Sequence, residues 1–422
     1  MNKRAFLKSL SLAGLGIPYY VSALEKTLQK YEANSPVDIA SDEDFWAQIR
    51  SGYKLKSEYI NLENGYYCFM PQQILEHFIQ HVRDVNYHGS WYMRTVQWEN
   101  KKKSAAMLAE MAGCTAEELV ITRNTTESLD LVIAGMDWKA GDEAVMAEQD
   151  YGSMLDQFKL MEKRYGIKTR RISIPNHPES DEEIVDLYAA QINDKTKLLM
   201  VCHLVNITGQ VLPIRKICDM AHAKGVEVMV DGAHAFAHLD FKIPELNCDY
   251  YGTSLHKWLS VPLGAGFLYV KKGNASNLYP LFAEAPLEPD DIYRLNHTGT
   301  HPVHTDLAIQ NAITFHVLIG AERKEARLKF LQHYWTSKVR SLPKVVVNTP
   351  EEMDRHGAIG NVGIEGIEPS NLAKKLLEEH NIWTVAIDRI GVKGVRITPN
   401  IYTTTEELDA FITALKVLTG NA

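Results

Sequence analysis

The sequence predicts an α/β protein with a mostly parallel sheet covered by helices on both faces, followed by a smaller α+β domain. Between residues 117 and 270, short apolar runs such as "TKLLMVCHL" and "GAGFLYV" alternate with stretches of helical spacing such as "IRKICDMAHAKG". This alternation is typical of parallel strands that are connected by covering helices. Beyond residue 340, the strand-like runs "KVVVN", "IGNVGIEG", "WTVAID" and "GVRIT" accompany only two helical stretches, which is typical of an antiparallel α+β module.

The first 23 residues have the features of an export leader. Basic residues surround the start of a weakly apolar run from Leu10 to Val21, and Val21-Ser22-Ala23 offers a small-residue cleavage pattern. The segment "NKRAFLK" resembles the twin-arginine export motif, with Lys3 in place of the first arginine. We therefore predict a Tat-like signal peptide in residues 1–23 and a periplasmic protein. The alternative is an amphipathic helix that packs on the domain of a cytoplasmic protein. Residues 24–58 are predicted to be a polar linker and an N-terminal arm.

The composition restricts the classes of partner. A chain of 422 residues can hold two or more domains. Lys and Arg total 45 against 53 Asp and Glu, and the net charge of −8 disfavours a nucleic-acid surface and favours a small-molecule partner or none. The five cysteines are scattered, without Cys-x-x-Cys or zinc spacing, so we expect small core residues and neither a disulfide framework nor a metal site. No stretch is long enough to span a membrane as a mature helix.

The large domain is predicted to occupy residues 59–305. Its strands are "ELVIT", "DEAVMAE", "TKLLMVCHL", "VEVMVD" and "GAGFLYV", and helical stretches such as "ESLDLVIAGM", "GSMLDQFKLMEKRYG" and "EEIVDLYAAQI" lie between them. A long helical stretch from about Asp306 to Arg340 then leads into the small domain, residues 306–422, with helices "SNLAKKLLEEH" and "TEELDAFITALKVL". Ligands of such sheets bind outside the carboxyl ends of the strands, so we expect functional residues directly after the apolar runs.

Polar residues follow three of these strands. Thr125 and Thr126 come after "LVIT" at the start of a helix, where hydroxyls and backbone N–H groups form an anion site or an ordinary helix cap. Asn206 follows "LLMVCHL" in a segment that equally fits turn chemistry. Asp231 follows five apolar residues, and a buried carboxylate needs a cationic or hydrogen-bonded partner. A turn aspartate is the alternative.

A lysine, Lys257, lies in the otherwise apolar segment "TSLHKWLSVPLGAGFLYV". Lysine is rarely buried unless it is paired. Lys257 is therefore interpreted either as a desolvated amine of lowered pKa that forms a Schiff base, or as a side chain whose ammonium group reaches solvent. Pyridoxal phosphate (PLP) requires three features together: an anion site, a carboxylate for its ring nitrogen and a lysine that forms an imine. The residues also occur in that order along the chain, so we predict PLP as the cofactor.

These motifs identify a resemblance. From about Tyr59 to its end, the chain resembles the class V aminotransferase family of fold-type I PLP enzymes, in its isopenicillin N epimerase-like and cysteine desulfurase-like branch. The segments "VDGAHA", "TSLHKWL" and "GAGFLYV" occur at the family's spacing. The resemblance implies the fold-type I architecture, with a large PLP-binding domain and a small C-terminal domain. It also implies a homodimer with shared active sites.

The resemblance also implies roles for individual residues. Lys257 would hold PLP covalently and move protons at the substrate α-carbon, Asp231 would pair with the pyridine nitrogen, and His234 would lie beside the cofactor near the substrate. The phosphate would bind to Thr125, Thr126, Ser254 and His256, and Thr300 would reach the phosphate of the neighbouring subunit. Asn206 would contact the ring hydroxyl, and Tyr151 would stack on the ring. Arg396, or alternatively Arg389, would bind the substrate carboxylate.

The predicted reaction is transamination of an amino acid or a peptide-borne amine. An isopenicillin N epimerase-like racemase and a lyase that eliminates at the β-carbon are the alternatives within this chemistry. The segment "AIDRIGVKGVRI" between the last two strands contains no cysteine, which disfavours a persulfide-forming desulfurase. An exported binding protein without catalysis is a further alternative, whereas a NAD-dependent dehydrogenase lacks its Gly-x-Gly-x-x-Gly motif here.

Overall fold

The computed structural model describes residue 24 and residues 26–420. The predicted export leader, residues 1–23, lies outside the described residues, so export stays a prediction. In residues 24–58, which we predicted to be a polar linker and an N-terminal arm, α1 (Pro36–Ala40) and α2 (Glu43–Arg50) pack on the rest of the chain. The reason is an apolar face at Phe45, Trp46 and Ile49, whose side chains are buried. Asp42 caps α2 by accepting a hydrogen bond from the backbone N–H of Phe45 at 2.9 Å.

A seven-stranded sheet forms the large domain, in the order β2-β8-β7-β6-β5-β3-β4. Only β8 runs antiparallel to its neighbours, so the predicted mostly parallel sheet is confirmed. The edge strand β4 was missed, because its residues "KTRRI" are charged and half-exposed rather than apolar. The strands are β2 (Leu119–Thr122), β3 (Glu143–Ala147), β4 (Lys168–Ile172), β5 (Thr196–Cys202), β6 (Glu227–Asp231), β7 (Tyr250–Ser254) and β8 (Gly266–Val270).

Helices cover both faces of this sheet. Alternate residues of β3 show the two faces, since Val145 and Ala147 belong to one apolar cluster while Ala144 and Met146 belong to the other. Both faces are therefore buried, as expected of strands with continuous apolar runs. The helices of this domain are α3 (Gln72–His88), α4 (Ser90–Thr95), α5 (Gln97–Ala112), α6 (Thr125–Gly135), α7 (Gly152–Tyr165), α8 (Asp181–Ala189), α9 (Ile214–His222) and α10 (Ile243–Leu246).

Two helices occupy the stretch that we predicted to be helical from about residue 306 to 340. They are α11 (Val303–Ile319), which packs on α3 and α5, and α12 (Ala321–Val339). Gly320 separates them with a φ of 96°, a conformation that disfavours any other residue. Within residues 26–420, none of the helices combines the length and the hydropathy that crossing a bilayer requires.

The small domain is an antiparallel sheet in the order β12-β13-β10-β9, covered by two helices. A short parallel pair, β1 (Ile60–Asn61) with β11 (Ile382–Trp383), connects this domain to the segment that enters the large domain. The elements are β9 (Val345–Val347), β10 (Gly360–Ile364), α13 (Pro369–His380), β12 (Val385–Arg389), β13 (Val392–Ile397) and α14 (Thr405–Leu418).

Candidate active site

A cavity of about 360 Å³ opens at the carboxyl ends of β2, β5, β6 and β7. Its volume is in the range of small-molecule and cofactor sites. The predicted residues that line it are Thr125, Thr126, Tyr151, Asn206, Asp231, His234, Ser254, His256, Lys257 and Arg396. Residues from four strand ends meet here because the carboxyl ends of parallel strands share one edge of the sheet.

Lys257 lies in the turn that follows β7, and its amine is next to an imidazole. Nζ is 3.1 Å from Nε2 of His234, and the indole N–H of Trp258 donates to Nδ1 of His234 at 3.3 Å. Because Nδ1 accepts a hydrogen bond, we assign the proton of the neutral ring to Nε2, which donates to the lysine nitrogen when that amine is unprotonated. Burial lowers the pKa of Lys257 to about 8, although Asp231 acts in the opposite direction. The amine is thus prepared to act as a nucleophile near neutral pH.

Asp231 ends β6 and is 3% exposed. Its Oδ1 accepts a hydrogen bond from the backbone N–H of Ala233 at 2.9 Å, and no described side chain donates to its carboxylate. Burial raises the pKa of Asp231, while the charge of Lys257 lowers it. A carboxylate in this position would be stabilised by a protonated ring nitrogen, so Asp231 fits the pyridine end of PLP.

The amino end of α6 forms an anion site. The backbone N–H of Thr125 donates to Oγ of Ser254 at 2.9 Å, and the two hydroxyl oxygens are 2.7 Å apart. Nδ1 of His256 is buried and has no hydrogen-bond partner among the described residues, and burial lowers the pKa of His256 to about 4. A helix amino terminus, two hydroxyls and an unpartnered imidazole nitrogen fit a phosphate group.

A glycine brings this anion site close to the sheet. A Cβ on Gly266 of β8 would lie 2.7 Å from the Cα of Asn124, the residue that caps α6. Only glycine therefore allows β8 to pass so close to the start of α6. The close approach holds the amino end of α6 over the end of β7, where Ser254 is the last residue and Lys257 follows.

The two predicted arginines differ in their partners. Arg396, on β13, forms a bidentate ion pair with Glu63, with Nη2 to Oε1 at 2.5 Å and Nε to Oε2 at 3.2 Å. Its Nη1 also donates to the backbone oxygen of Asn206 at 3.1 Å. Arg389, at the end of β12, donates from Nη2 to Oδ1 of Asn206 at 3.2 Å. Asn206 therefore joins both guanidinium groups.

Glu63 was missed by the sequence analysis. It follows the two-residue strand β1 in "INLENGYY", and a single carboxylate after so short a strand gives no periodic signal. Gly65, two residues further on, is a weak indication of a close contact at this position, because a Cβ there would lie 2.7 Å from Nη2 of Arg396.

Of the predicted residues, Arg389 and Thr300 do not line the cavity, and Tyr151 lines only its mouth. Tyr151 lines the mouth and is 44% exposed, together with the exposed side chains of Tyr66 and Leu263, so its stacking on the cofactor stays a prediction. Thr300 is exposed and lines a separate groove beside Trp98. This position is compatible with the predicted contact to a second subunit, and the homodimer stays a prediction.

The comparison with known families agrees with this site. The sequence profile of the family described as aminotransferase class-V matches residues 70–411. The chain belongs to this family. It is therefore a class V enzyme that depends on PLP, and the described residues fit that cofactor at the anion site, at the ring nitrogen and at Lys257.

The class V enzyme has curated relatives of more than one activity. An isopenicillin N epimerase from Streptomyces clavuligerus is 28% identical over 330 residues, which cover 74% of this chain and 83% of the relative. A cysteine desulfurase from Haloferax volcanii is 26% identical over 391 residues, which cover 84% of this chain and 88% of the relative. The family thus fixes the cofactor and leaves the reaction open.

Solved structures support the fold of the class V enzyme. The apo cysteine desulfurase of Thermococcus onnurineus NA1 superposes with a TM-score of 0.79 at 21% identity, covering 89% of this chain and 98% of that one. A variant of C-DES with glycine covalently linked to its PLP cofactor gives a TM-score of 0.78 at 21% identity, covering 87% of this chain and 98% of that one. The predicted fold-type I architecture is confirmed.

Proposed function

We propose that this class V enzyme is an aminotransferase that acts on an amino acid or a peptide-borne amine. PLP, when bound, supplies an electron sink that weakens the bonds of the substrate α-carbon. The observation that carries the proposal is the buried amine of Lys257, whose pKa is lowered to about 8 and whose nitrogen lies 3.1 Å from Nε2 of His234. One such base is sufficient for transamination, since the same amine takes the proton from the α-carbon and returns it one position away.

The other cavity residues support one base rather than two. Epimerisation requires a second proton donor on the opposite face of the substrate. His256 and His234 are neutral because burial lowers their pKa values, and both are assigned to cofactor binding. Tyr151 at the exposed mouth is a candidate for this second donor, whereas His301, another candidate, pairs with Asp306 at 2.9 Å and does not line the cavity. An epimerase is therefore the runner-up.

The cysteines argue against a persulfide-forming desulfurase. The turn between β12 and β13 consists of Ile390 and Gly391, and it carries no thiol. Cys202 lines the cavity, but burial and the nearby carboxylate of Asp231 raise its pKa, so it stays a protonated thiol. Burial likewise raises the pKa of Cys68 to about 12.

Product analysis tests the proposal. The PLP-loaded enzyme is incubated with amino acids and short peptides, with and without a keto acid, and the products are measured by mass spectrometry. We expect turnover that requires the keto acid and that is absent in Lys257→Ala. Inversion at the α-carbon without a keto acid would instead indicate an epimerase, and a keto product with free ammonia would indicate a lyase.

A further inference from the structure

The imidazole of His234 has a fixed partner on the side that faces away from Lys257. The indole nitrogen of Trp258 can only donate, and it donates to Nδ1 of His234 at 3.3 Å. Both side chains are buried. Burial and the positive charge of Lys257 lower the pKa of His234 well below its usual value, so the ring is neutral. A neutral ring whose Nδ1 accepts a hydrogen bond carries its proton on Nε2, which lies 3.1 Å from Nζ of Lys257.

A second buried histidine, His238, holds the indole in place. The ring centroids of His238 and Trp258 are 3.8 Å apart, with an angle of 38° between the planes. Burial lowers the pKa of His238 well below its usual value, so this ring is also neutral. Its Nε2 accepts a hydrogen bond from the backbone N–H of Ala358 at 2.8 Å, and its Nδ1 therefore donates to the backbone oxygen of His234, also at 2.8 Å. A flipped ring would lose both hydrogen bonds.

The backbone around His238 fits its ring closely. Ala237 has a φ of 60°, a left-handed conformation that alanine rarely adopts unless the surrounding structure holds it. A Cβ on Gly357 would lie 2.7 Å from Nε2 of His238, so only glycine allows the backbone at Ala358 to come this near. Residues 357 and 358 lead directly into β10 of the small domain. His238 thus connects that domain to the side chains beside Lys257.

We propose that Trp258 and His238 are positioning residues, which fix His234 with its Nε2–H directed at Nζ of Lys257. An ammonium group on Lys257 has only donors and would meet another donor in this N–H, whereas the free amine accepts a hydrogen bond from it. The arrangement therefore favours the free amine, which is the form that acts as a nucleophile and as a base. The inference rests on the proposed function only in taking Lys257 as the reacting amine, and it holds for any reaction at the α-carbon.

NMR of the PLP-free enzyme labelled with nitrogen-15 histidine tests the tautomer directly. Proton–nitrogen correlation spectra distinguish a proton on Nδ1 from a proton on Nε2, and the signals of His234 are assigned by their loss in His234→Gln. We expect the Nε2–H form in the wild type. In Trp258→Phe we expect the Nδ1–H form or a mixture of the two, because phenylalanine has no N–H to occupy Nδ1. A wild-type ring with its proton on Nδ1, or an unchanged tautomer in Trp258→Phe, would overturn the inference.

The pH dependence of PLP uptake measures the consequence for Lys257. In Trp258→Phe, Nε2 of His234 can accept a hydrogen bond from the ammonium group and stabilise it, so the midpoint of the uptake rate should move to higher pH by about one unit. His238→Phe keeps a ring against Trp258 but loses both hydrogen bonds, and its midpoint should move in the same direction by a smaller amount. The other titratable groups that act on Lys257 are unchanged in these variants, and they are Cys68, Cys202, Asp231, His256 and Arg396.

Trp138→Phe is the matched control. Trp138 is also buried, and its indole N–H donates to the backbone oxygen of Ile133 at 2.7 Å, but it does not line the cavity. This variant loses a comparable hydrogen bond, and its midpoint should equal that of the wild type. In a His234→Gln background, Trp258→Phe should cause no further shift, because the imidazole is the link between the indole and the amine. A shift that persists without the imidazole would contradict the assignment, and so would equal midpoints in Trp258→Phe and the wild type.

The tautomer is measured without PLP and without a substrate. A reaction other than transamination would therefore refute the proposed function and leave the spectrum of His234 unchanged, so the two failures are distinguishable. The wild-type spectrum also decides the question if Trp258→Phe does not fold, since a proton on Nδ1 of His234 is incompatible with the hydrogen bond from Trp258.

Discussion

At the scale of single residues, burial changes the chemistry of the groups at the ends of the strands. The low pKa of Lys257 has desolvation as its largest cause, with the carboxylate of Asp231 opposing it. The amine is protonated below about pH 8 and is free above it, so its nucleophilicity rises with pH through that value. This behaviour distinguishes Lys257 from an exposed lysine, which remains protonated until a much higher pH.

The first prediction concerns uptake of PLP by the apoenzyme. The rate at saturating PLP should rise with pH and show a midpoint near pH 8, because only the free amine of Lys257 attacks the aldehyde. Asp231→Asn should move the midpoint to lower pH, because it removes the carboxylate that raises the pKa of Lys257. Stopped-flow absorbance measures both profiles.

Asp219→Asn is the control for this experiment, because this carboxylate is exposed and pairs with Arg215 on α9. Its midpoint should equal that of the wild type. A rate that does not change on either side of pH 8 would show that the amine of Lys257 is not the titrating group.

Residue-level prediction from the sequence worked where a residue type conflicts with its surroundings. A lysine and an aspartate in apolar segments are unusual enough to be noticed, and the structure brings both into one cavity. Glu63 could not be found in this way. Its role depends on Arg396, which lies more than three hundred positions away and is brought near by the pairing of β1 with β11.

At the scale of elements, the amino end of α6 and the passing strand β8 act together. The anion site forms because Gly266 allows this approach, so a side chain there should disturb the phosphate position before it disturbs the fold. Helices and strands with continuous apolar runs were predictable. The edge strand β4 and the break at Gly320 were not, since charged strand residues and a single glycine carry little periodic signal.

The second prediction is that Gly266→Ala weakens PLP binding. Its Cβ would lie 2.6 Å from the backbone oxygen of Thr253 and 2.7 Å from the Cα of Asn124. We expect a loss of about 1–3 kcal/mol in the free energy of unfolding and a lower affinity for PLP, measured by urea unfolding and by cofactor titration.

Gly273→Ala is the matched control. Gly273 has a φ of 92° and nothing within 4 Å of the position of a Cβ, so the substitution costs a similar free energy through backbone strain alone. Its affinity for PLP should be unchanged. If both variants lost affinity equally, the close approach at Gly266 would not be what shapes the phosphate site.

At the scale of the whole molecule, one buried arginine holds the N-terminal arm to the C-terminal part of the chain. Arg327 of α12 is fully buried, and it donates to the backbone oxygens of Ala40 and Thr403 at 3.0 Å each and to Glu43 at 2.7 Å. One side chain thus joins the arm, α12 and the loop before α14. The sequence indicated none of this, because the arm is short and polar and its apolar face consists of few residues.

The third prediction is that Arg327→Met destabilises the protein by about 3–5 kcal/mol, because it leaves Glu43 and two buried carbonyl groups without their donor. Urea unfolding measures the loss. Arg215→Met is the control, since its pair with Asp219 is exposed and should contribute less than about 1 kcal/mol. Equal losses in the two variants would show that the arm is not held through Arg327.

The architecture as a whole was predictable because strand ends, helix starts and the two-domain division each leave a local pattern. The partners of Arg389 and Arg396 were not predictable, because they depend on how the small domain packs on the large one.

The most direct test of the account is reduction of the PLP-loaded enzyme with borohydride, followed by digestion and mass spectrometry. We predict one PLP-modified peptide, with the cofactor on Lys257. Cofactor on another lysine, such as the buried Lys324, or no modified peptide at all, would contradict it.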